Sequence, residues 1–201
     1  MKLVGLTGGI GAGKSTVSAR LRERGAQIVD ADIITKELQQ PGTAVFAAIV
    51  AEFGDGIVAT DGTLDRQGLA DVVFNDPEKL KTLQGIVWPA VGVEIVRRIE
   101  EASTTDQVVV LDIPLLVEGG RYNVAGVIVV DTPVEEAVRR LVALRGMDEA
   151  DARSRMANQA SREDRVAKAD FVVDNGGPEA DLTPKIDRLW EWIGSLPDWG
   201  D

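Results

Sequence analysis

The 201-residue sequence contains no cysteine and no histidine. Without cysteine, disulfides and thiol catalysis are excluded. Without histidine, no imidazole can act as a base or as a metal ligand, so a general base must be a carboxylate, a lysine or a tyrosine.

Long apolar runs are also absent. The longest, from Ala44 to Ala51, ends at Glu52, well short of the ~18 residues that a membrane span needs. The N-terminus enters a glycine cluster directly after Thr7 and lacks the apolar region and the cleavage site of a signal peptide. We therefore expect a cytoplasmic protein with no membrane partner.

Positive charge is scarce overall but is concentrated in one segment. The formal net charge is −11, from 33 acidic and 22 basic residues, and such a surface repels nucleic acid. Residues 139–168 hold eight basic and five acidic residues, a local charge of +3. This segment is either a basic site for an anionic ligand or a solvated helix with internal ion pairs.

Short apolar segments alternate with helical patterns along the chain. Five of them predict strands, at Lys2–Thr7, Ala26–Asp30, Gln107–Asp112, Gly126–Asp131 and Phe171–Val173. This alternation indicates a three-layer α/β fold, in which helices cover both faces of a five-stranded parallel sheet.

The helices carry their own signals. The first is predicted from Lys14 to a stop at Gly25. The helix after the fourth strand is predicted to have Thr132 as its cap, Pro133 in its first position and Glu135 completing a capping box. A C-terminal helix is predicted from four residues at helical spacing, Leu182, Ile186, Leu189 and Ile193. Residues 197–201 are expected to form a loose tail.

Roughly 75 residues separate the second and third strands, more than a simple crossover needs. Apolar residues recur there every three or four positions, at Leu80, Leu83, Val87, Val91 and Ile95. We predict a helical insertion with its own apolar stripe and a kink at Pro89.

A phosphate-binding loop follows the first strand. The segment from Gly8 to Ser15 fits Gly-x-x-x-x-Gly-Lys-Ser in full and lies between a strand and a helix. Its glycines let successive backbone N–H groups surround a phosphate, and the helix adds its positive end. Lys14 can reach the β- and γ-phosphates, Ser15 can ligate Mg²⁺ and Thr16 can meet the α-phosphate. A tight turn without a ligand is the alternative.

The loop alone does not separate a kinase from a GTPase or a motor ATPase. A guanine-specific GTPase would carry Asn-Lys-x-Asp, which does not occur, and Asp112 is followed by Ile113 and Pro114 rather than by Asp-x-x-Gly. Asp112 either holds Mg²⁺ through water or caps the loop that follows it.

The basic segment fits a lid that keeps water away from the transferring phosphoryl group. Its arginines at positions 140, 145, 153, 162 and 165 lie on a predicted helical hairpin. An ordinary helical pair with exposed arginines is the alternative.

A carboxylate for the acceptor is available after the second strand, where Asp30 and Asp32 flank Ala31. Strand ends of this kind border the ligand site in open α/β sheets. Asp32 either accepts a hydrogen bond from the attacking hydroxyl or caps the next helix.

These residues together resemble the dephospho-CoA kinase family. The resemblance covers nearly the whole chain in order and is carried by Leu6–Thr16, Val29–Asp32, Pro41-Gly42, Phe53-Gly54, Asp61–Arg66, Pro114–Glu118, Val129–Asp131, Gln159, Arg162, Ala169-Asp170 and Asp174–Gly176. The Asp-Ala-Asp and Pro-Leu-Leu-x-Glu elements are specific to it.

The resemblance implies a P-loop kinase that uses ATP and Mg²⁺ to phosphorylate the ribose 3′-hydroxyl of dephospho-CoA. It implies three catalytic residues, Asp32 as general base, Lys14 on the phosphates and Arg140 at the base of the lid. ATP-binding residues are expected at Gly11, Ala12, Gly13, Lys14, Ser15, Thr16, Arg140 and Asn175. Substrate contacts are expected at Asp32, Leu115 and Leu116, and a metal contact at Ser15, with Asp112 as a possible second.

The same resemblance suggests a division of the chain. The core is expected at about 1–34, 106–138 and 169–196, the substrate-binding insertion at about 35–105 and the lid at about 139–168. Members of the family often have His-Pro in the insertion, whereas this chain has Trp88-Pro89. The substrate contacts of that histidine are therefore not carried over to this chain, and a core position for Trp88 is an equal alternative.

Two other functions are compatible with the P-loop. One is a kinase of the same architecture that acts on another small molecule, such as a nucleoside monophosphate. The other is a nucleotide-dependent switch or scaffold without catalysis.

Overall fold

The computed structural model describes residues 1–114, 116 and 123–200. The chain forms two compact units, one made of Met1–Val29 with Ala102–Asp201 and the other of Asp30–Glu101.

The first unit is built on a five-stranded sheet. Its strands are β1 (Lys2–Gly8), β2 (Gln27–Asp30), β3 (Val108–Asp112), β4 (Gly126–Asp131) and β5 (Phe171–Asp174). Their order across the sheet is β2-β3-β1-β4-β5, and β1 pairs in parallel with β3 and β4. The predicted α/β fold with a parallel sheet is confirmed, and each strand lies within a residue of its predicted bounds.

The first unit also contains helices in the described part of the chain. They are α1 (Lys14–Glu23), α6 (Val134–Arg145), α7 (Glu149–Ala157), α8 (Arg162–Ala167) and α9 (Leu182–Ser195). The predicted helix at Lys14 is confirmed, and Gly25 just beyond its end has a left-handed φ of 97°, as a helix stop requires.

The core lies between the central strands and two helices. Leu6 of β1, Leu21 of α1 and Ile186 of α9 belong to one cluster and are fully buried. All four apolar residues that predicted the C-terminal helix are buried. The 3.6-residue spacing therefore identified the face that covers the sheet.

The second unit consists mainly of helices, α2 (Ala31–Leu38), α3 (Ala44–Phe53), α4 (Arg66–Phe74) and α5 (Pro77–Ala102). In α5, the predicted stripe residues Val87, Val91 and Ile95 are buried, whereas Leu80 and Leu83 are only half-buried. Glu94 accepts hydrogen bonds from Arg97 and Arg98, which lower its pKa to about 2.

Two features of α5 bear on the sequence predictions. The helix continues through Pro89 as one 26-residue element. Trp88 is 57% exposed, so the alternative that it is a core residue is wrong. In the described ranges, 1–114, 116 and 123–200, we find no helix with the length and apolarity that a membrane crossing requires.

The start of α6 differs from the prediction. Pro133 is the N-cap residue, and no side chain caps the helix there. The hydroxyl of Thr132 instead donates to the carbonyl oxygen of Ala12 at 3.1 Å, and Glu135 accepts from Arg153 at 2.8 Å. Both side chains form tertiary contacts, which a local capping motif does not foresee.

The predicted loose tail is held to the N-terminus. The Trp199 N–H donates to the Met1 carbonyl at 2.8 Å. Asp198 lies 3.4 Å from the N-terminal amine and 3.6 Å from Lys2 Nζ. The prediction was wrong because these partners are nearly 200 residues away in the sequence.

Truncation of the core side chain Leu189 should lower the free energy of unfolding by about 2–5 kcal/mol. Leu189 in α9 is fully buried, whereas Leu144 in α6 is 80% exposed. Leu144→Ala is the matched control, with an expected change within about 0.5 kcal/mol. Urea unfolding followed by circular dichroism measures both variants. Equal losses would contradict this assignment of the core.

Candidate active site

The loop between β1 and α1 is shaped by two glycines in left-handed conformations. Gly11 has a φ of 78° and Gly13 a φ of 85°, a region that side chains with a Cβ rarely adopt. A Cβ on Gly11 would lie 2.8 Å from the Ala137 carbonyl, and one on Gly13 would overlap the amide of Asn175. Both positions therefore require glycine for conformation and for space.

The loop ends at the N-terminus of α1, which carries no capping side chain. Gly13 is the N-cap residue, and the first turn of the helix has no acidic residue. Backbone N–H groups in a first turn have no partner within the helix. Such a terminus favours an anion, because its N–H groups and the helix dipole act together.

Lys14 and Asp112 form an ion pair at the floor of the site. Lys14 Nζ contacts one carboxylate oxygen of Asp112, and Ser18 Oγ donates to the other at 2.5 Å. Asp112 is 1% exposed. A buried carboxylate of this kind is stabilised only when its oxygens are hydrogen-bonded.

This arrangement bears on the two alternatives for Asp112. Its described contacts are to α1, while the next residue, Ile113, donates its N–H to the Leu6 carbonyl at 3.1 Å. Residues 115 and 117–122 of the following loop lie outside the described residues, so the alternative role of Asp112 as a cap for that loop stays a prediction. Ser18, four residues after Lys14, was not among the predicted site residues. Its i+4 spacing could have indicated that both side chains face the same strand.

A cavity of about 270 Å³ opens beside the loop. Its lining includes Ser15, Thr16, Arg140, Arg145 and Asn175. Gly11 and Gly13 of the loop line it as well. The structure thus brings together six predicted ATP-binding residues, from the phosphate-binding loop, α1, α6 and the segment after β5.

Arg140 is held at the side of this cavity. Its Nε donates to Glu136 at 2.7 Å, and its Nη2 donates to the Gly177 carbonyl at 3.3 Å. Hydrogen bonds from Arg139 and Arg140 lower the pKa of Glu136 to about 2. Glu136 therefore stays ionised at neutral pH and fixes the guanidinium of Arg140.

A second cavity, of about 320 Å³, also borders the loop and is lined by residues that include Gly9, Ile10, Asp131, Arg162 and Arg165. Arg162 binds the carboxylate of Asp131 with two hydrogen bonds, of 2.7 and 2.6 Å. These bonds raise the pKa of Arg162 above its ordinary value.

A further contact joins the segment between α7 and α8 to the phosphate-binding loop, because the Ile10 N–H donates to Gln159 Oε1 at 3.0 Å. Of the predicted lid arginines, Arg140 and Arg145 line the first cavity and Arg162 and Arg165 the second. Arg153 lines neither and pairs with Glu135 and Glu149.

Asp30 and Asp32 have different local roles in the second unit. The carboxylate of Asp30 accepts from the N–H groups of Asp32 and Ile33, at 2.8 and 3.0 Å. Asp30 is thus the N-cap of α2. The alternative that Asp32 caps this helix is wrong, since Asp32 belongs to its first turn.

The two leucines predicted to contact substrate are only partly described. Leu115 lies outside the described residues. Leu116 is buried, and its side chain fills the space that a Cβ on Gly5 would occupy.

Comparisons with known proteins identify what the chain is similar to. Residues 2–181 match the family model described as dephospho-CoA kinase. A dephospho-CoA kinase of Streptomyces avermitilis is 50% identical over 94% of this chain and 93% of its own length. One from Thermobifida fusca is 47% identical over 95% of this chain and 96% of its own length.

Solved structures are similar as well. The protein TT1252 of Thermus thermophilus matches with a TM-score of 0.81 and 31% identity, over 96% of both chains. A dephospho-CoA kinase from Campylobacter jejuni matches with a TM-score of 0.70 and 24% identity, over 96% of this chain and 97% of its own. The latter supports the fold alone.

Gly13→Ala should abolish measurable ADP binding, because the added methyl group overlaps the amide of Asn175. Gly25→Ala, at the opposite end of α1, is the matched control. Gly25 also has a positive φ, but nothing lies within 4 Å of its missing Cβ. The control should lose about 1–2 kcal/mol of stability and keep its ADP affinity. Calorimetric titration with ADP distinguishes the two, and equal affinities would contradict the prediction.

Proposed function

The chain belongs to the dephospho-CoA kinase family, and we propose which of its residues carry out the transfer. The activity is ATP-dependent phosphorylation of dephospho-CoA, which yields CoA and ADP. The observation that carries the assignment is the uncapped N-terminus of α1, with Lys14 and the cavity of Arg140 beside it.

We place the phosphates of ATP on the N–H groups of the loop. The proposed ATP-binding residues are Gly11, Ala12, Gly13, Lys14, Ser15 and Thr16. Two of these backbone positions are already fixed by the left-handed glycines. Preorganised N–H groups stabilise the charge that develops during transfer without having to reorient.

Lys14 would change partners when ATP binds. Its ammonium contacts Asp112 in this structure, and a triphosphate carries more negative charge than a single carboxylate. On the β- and γ-phosphates Lys14 would stabilise the charge that spreads over the transferring group. Ser18 would then remain as a donor to Asp112.

The residues present fit a magnesium ion that arrives with the nucleotide. Ser15 lines the cavity, and Asp112 becomes available when Lys14 turns to the phosphates. Within residues 1–114, 116 and 123–200, no group of three or more acidic side chains could hold a metal alone. This matches the usual Mg²⁺ site of kinases, where one or two protein ligands combine with phosphate oxygens. Bound there, Mg²⁺ would neutralise negative charge on the nucleotide.

Arg140 and Asn175 are proposed to contact the nucleotide in the 270 Å³ cavity. Arg140 is fixed by Glu136 and by the Gly177 carbonyl, so it presents its charge at little entropic cost. Arg145 lines the same cavity. Arg162 and Arg165 would belong to the lid, which we place at about 139–168.

Asp32 is proposed as the general base. With no histidine in the chain, a carboxylate is the natural acceptor for the proton. Asp30 caps α2, so that Asp32 is not required as the N-cap. Asp32 would take the proton of the ribose 3′-hydroxyl. The oxygen of that hydroxyl would at the same time bond to the γ-phosphorus, and the bond between this phosphorus and the oxygen that it shares with the β-phosphate would break and release ADP.

The remaining assignments rest on the family resemblance. Substrate contacts are proposed at Asp32, Leu115 and Leu116; Leu116 is buried and would act through packing. The insertion at about 35–105 would receive dephospho-CoA, and the core would be formed by about 1–34, 106–138 and 169–196. A cytoplasmic location and the absence of a nucleic-acid partner stay predictions.

The decisive assay combines the protein with Mg²⁺, ATP and dephospho-CoA. We expect ADP and CoA to form in equal amounts, measured by liquid chromatography. AMP and CMP serve as acceptor controls for a nucleoside monophosphate kinase, and Lys14→Ala is the inactive enzyme control. Preferred phosphorylation of a nucleotide, or ATP binding without transfer, would contradict the function.

Asp32→Asn should lower turnover by about 10²–10⁴, the usual contribution of a general base, with little change in ATP affinity. Asp30→Asn is the matched control, because asparagine caps a helix nearly as well as aspartate. Its turnover should fall far less. Steady-state kinetics on both variants test this, and near-normal turnover of Asp32→Asn would remove it from the proposed role.

A further inference from the structure

The carbonyl oxygen of Ala12 accepts two side-chain hydrogen bonds. Asn175 Nδ2 donates at 2.8 Å and Thr132 Oγ1 at 3.1 Å. Both donors are buried, at 8% and 7% exposure. A carbonyl oxygen has two lone pairs, so residues 120 and 163 positions away in the chain occupy both of them.

These bonds are not part of the helix that follows. The hydrogen-bond ladder of α1 begins one residue later, where the N–H groups of Thr16 and Val17 donate to the Gly13 carbonyl at 3.0 and 3.4 Å. The Ala12 carbonyl is therefore oriented by the two side chains rather than by secondary structure.

The direction of this carbonyl decides the direction of a neighbouring N–H. The Ala12 C=O and the Gly13 N–H belong to one planar trans peptide and point in opposite directions. Gly13 has no Cβ and a φ of 85°, so its side chain does not set the orientation of this peptide. Holding the carbonyl on one side thus holds the Gly13 N–H on the other.

Both donors are anchored at the carboxyl ends of two neighbouring strands. Thr132 directly follows β4, and Asn175 directly follows β5. The strands pair there, with Asp131 opposite Asp174. The backbone N–H of Asn175 also donates to the Asp131 carbonyl at 2.7 Å. The two side chains therefore extend from a hydrogen-bonded framework and not from an independent loop.

We propose that Thr132 and Asn175 are positioning residues, which aim the Gly13 N–H at the phosphates of ATP through the Ala12 carbonyl. Thr132 does this without contacting the nucleotide. For Asn175, the role adds to the ATP contact proposed above. The inference rests on the nucleotide binding proposed above for this loop, and it does not depend on the acceptor substrate.

The first test replaces the hydroxyl of Thr132. Thr132→Val has nearly the same shape but cannot donate, whereas Thr132→Ser keeps the donor and loses a methyl group. We expect the valine variant to bind Mg-ADP about two- to tenfold more weakly, and the serine variant to bind it as the wild type does. The KM for dephospho-CoA should be unchanged in both.

Calorimetric titration with ADP and steady-state kinetics give these values. Unchanged ADP affinity in Thr132→Val would overturn the inference. Serine weakening binding as much as valine would also overturn it, because packing rather than the hydrogen bond would then be responsible. A purely structural role would lower the melting temperature without this contrast between serine and valine.

The second test needs no variant and uses the wild-type protein. Scalar coupling across the hydrogen bond from Asn175 Nδ2 to the Ala12 carbonyl carbon can be measured by NMR. We expect the coupling in the protein alone and in its complex with Mg-ADP. Its disappearance on ADP binding would overturn the inference, since the orientation must persist when the phosphates are bound.

Failure of this inference and failure of the proposed function give different results. ADP binding requires no acceptor, so the contrast between valine and serine can be observed even if dephospho-CoA is not phosphorylated. Conversely, CoA formation by a Thr132→Val enzyme with unchanged ADP affinity would support the function and overturn the positioning role.

Discussion

The site depends on a short stretch of backbone whose N–H groups have no partner inside the helix that they begin. Gly13 starts α1 with a φ of 85° and no capping side chain, so the donors of the first turn are available to an anion. Backbone groups so oriented are unfavourable unless the surroundings hold them. Here Lys14 is bound to a buried carboxylate below the loop, and Ala12 is bound by two side chains beside it.

These supports come from the carboxyl ends of parallel strands. Asp112 ends β3, Thr132 follows β4 and Asn175 follows β5. In an open parallel sheet such ends meet at one edge, which is the general position of ligand sites in this architecture. The order β2-β3-β1-β4-β5 places β1, and with it the phosphate-binding loop, between β3 and β4. The topology thus brings polar side chains from distant segments to the same loop.

Much of the architecture could be predicted because it follows from local patterns. The β4 strand was predicted to the residue, and the apolar spacing of Leu182, Ile186, Leu189 and Ile193 located the buried face of α9. Local rules failed where a side chain had a stronger distant partner. Thr132 bonds to Ala12 instead of capping α6. The cap of α2 has a local reason, because the helix begins directly after Asp30, which caps it in place of Asp32. Trp88 is exposed, which helical spacing alone could not decide.

The sequence by itself determined the α/β class, the phosphate-binding loop and the family, because each depends on residue types at fixed spacing within a short segment. It also restricted the base to a non-imidazole group, since histidine is missing. Only the tertiary structure decided the partners of Asp112 and of the Ala12 carbonyl, and which arginines line each cavity. The physical reason is that a hydrogen bond depends on distance and direction in space, and residues 98 to 163 positions apart meet only when the strands have assembled.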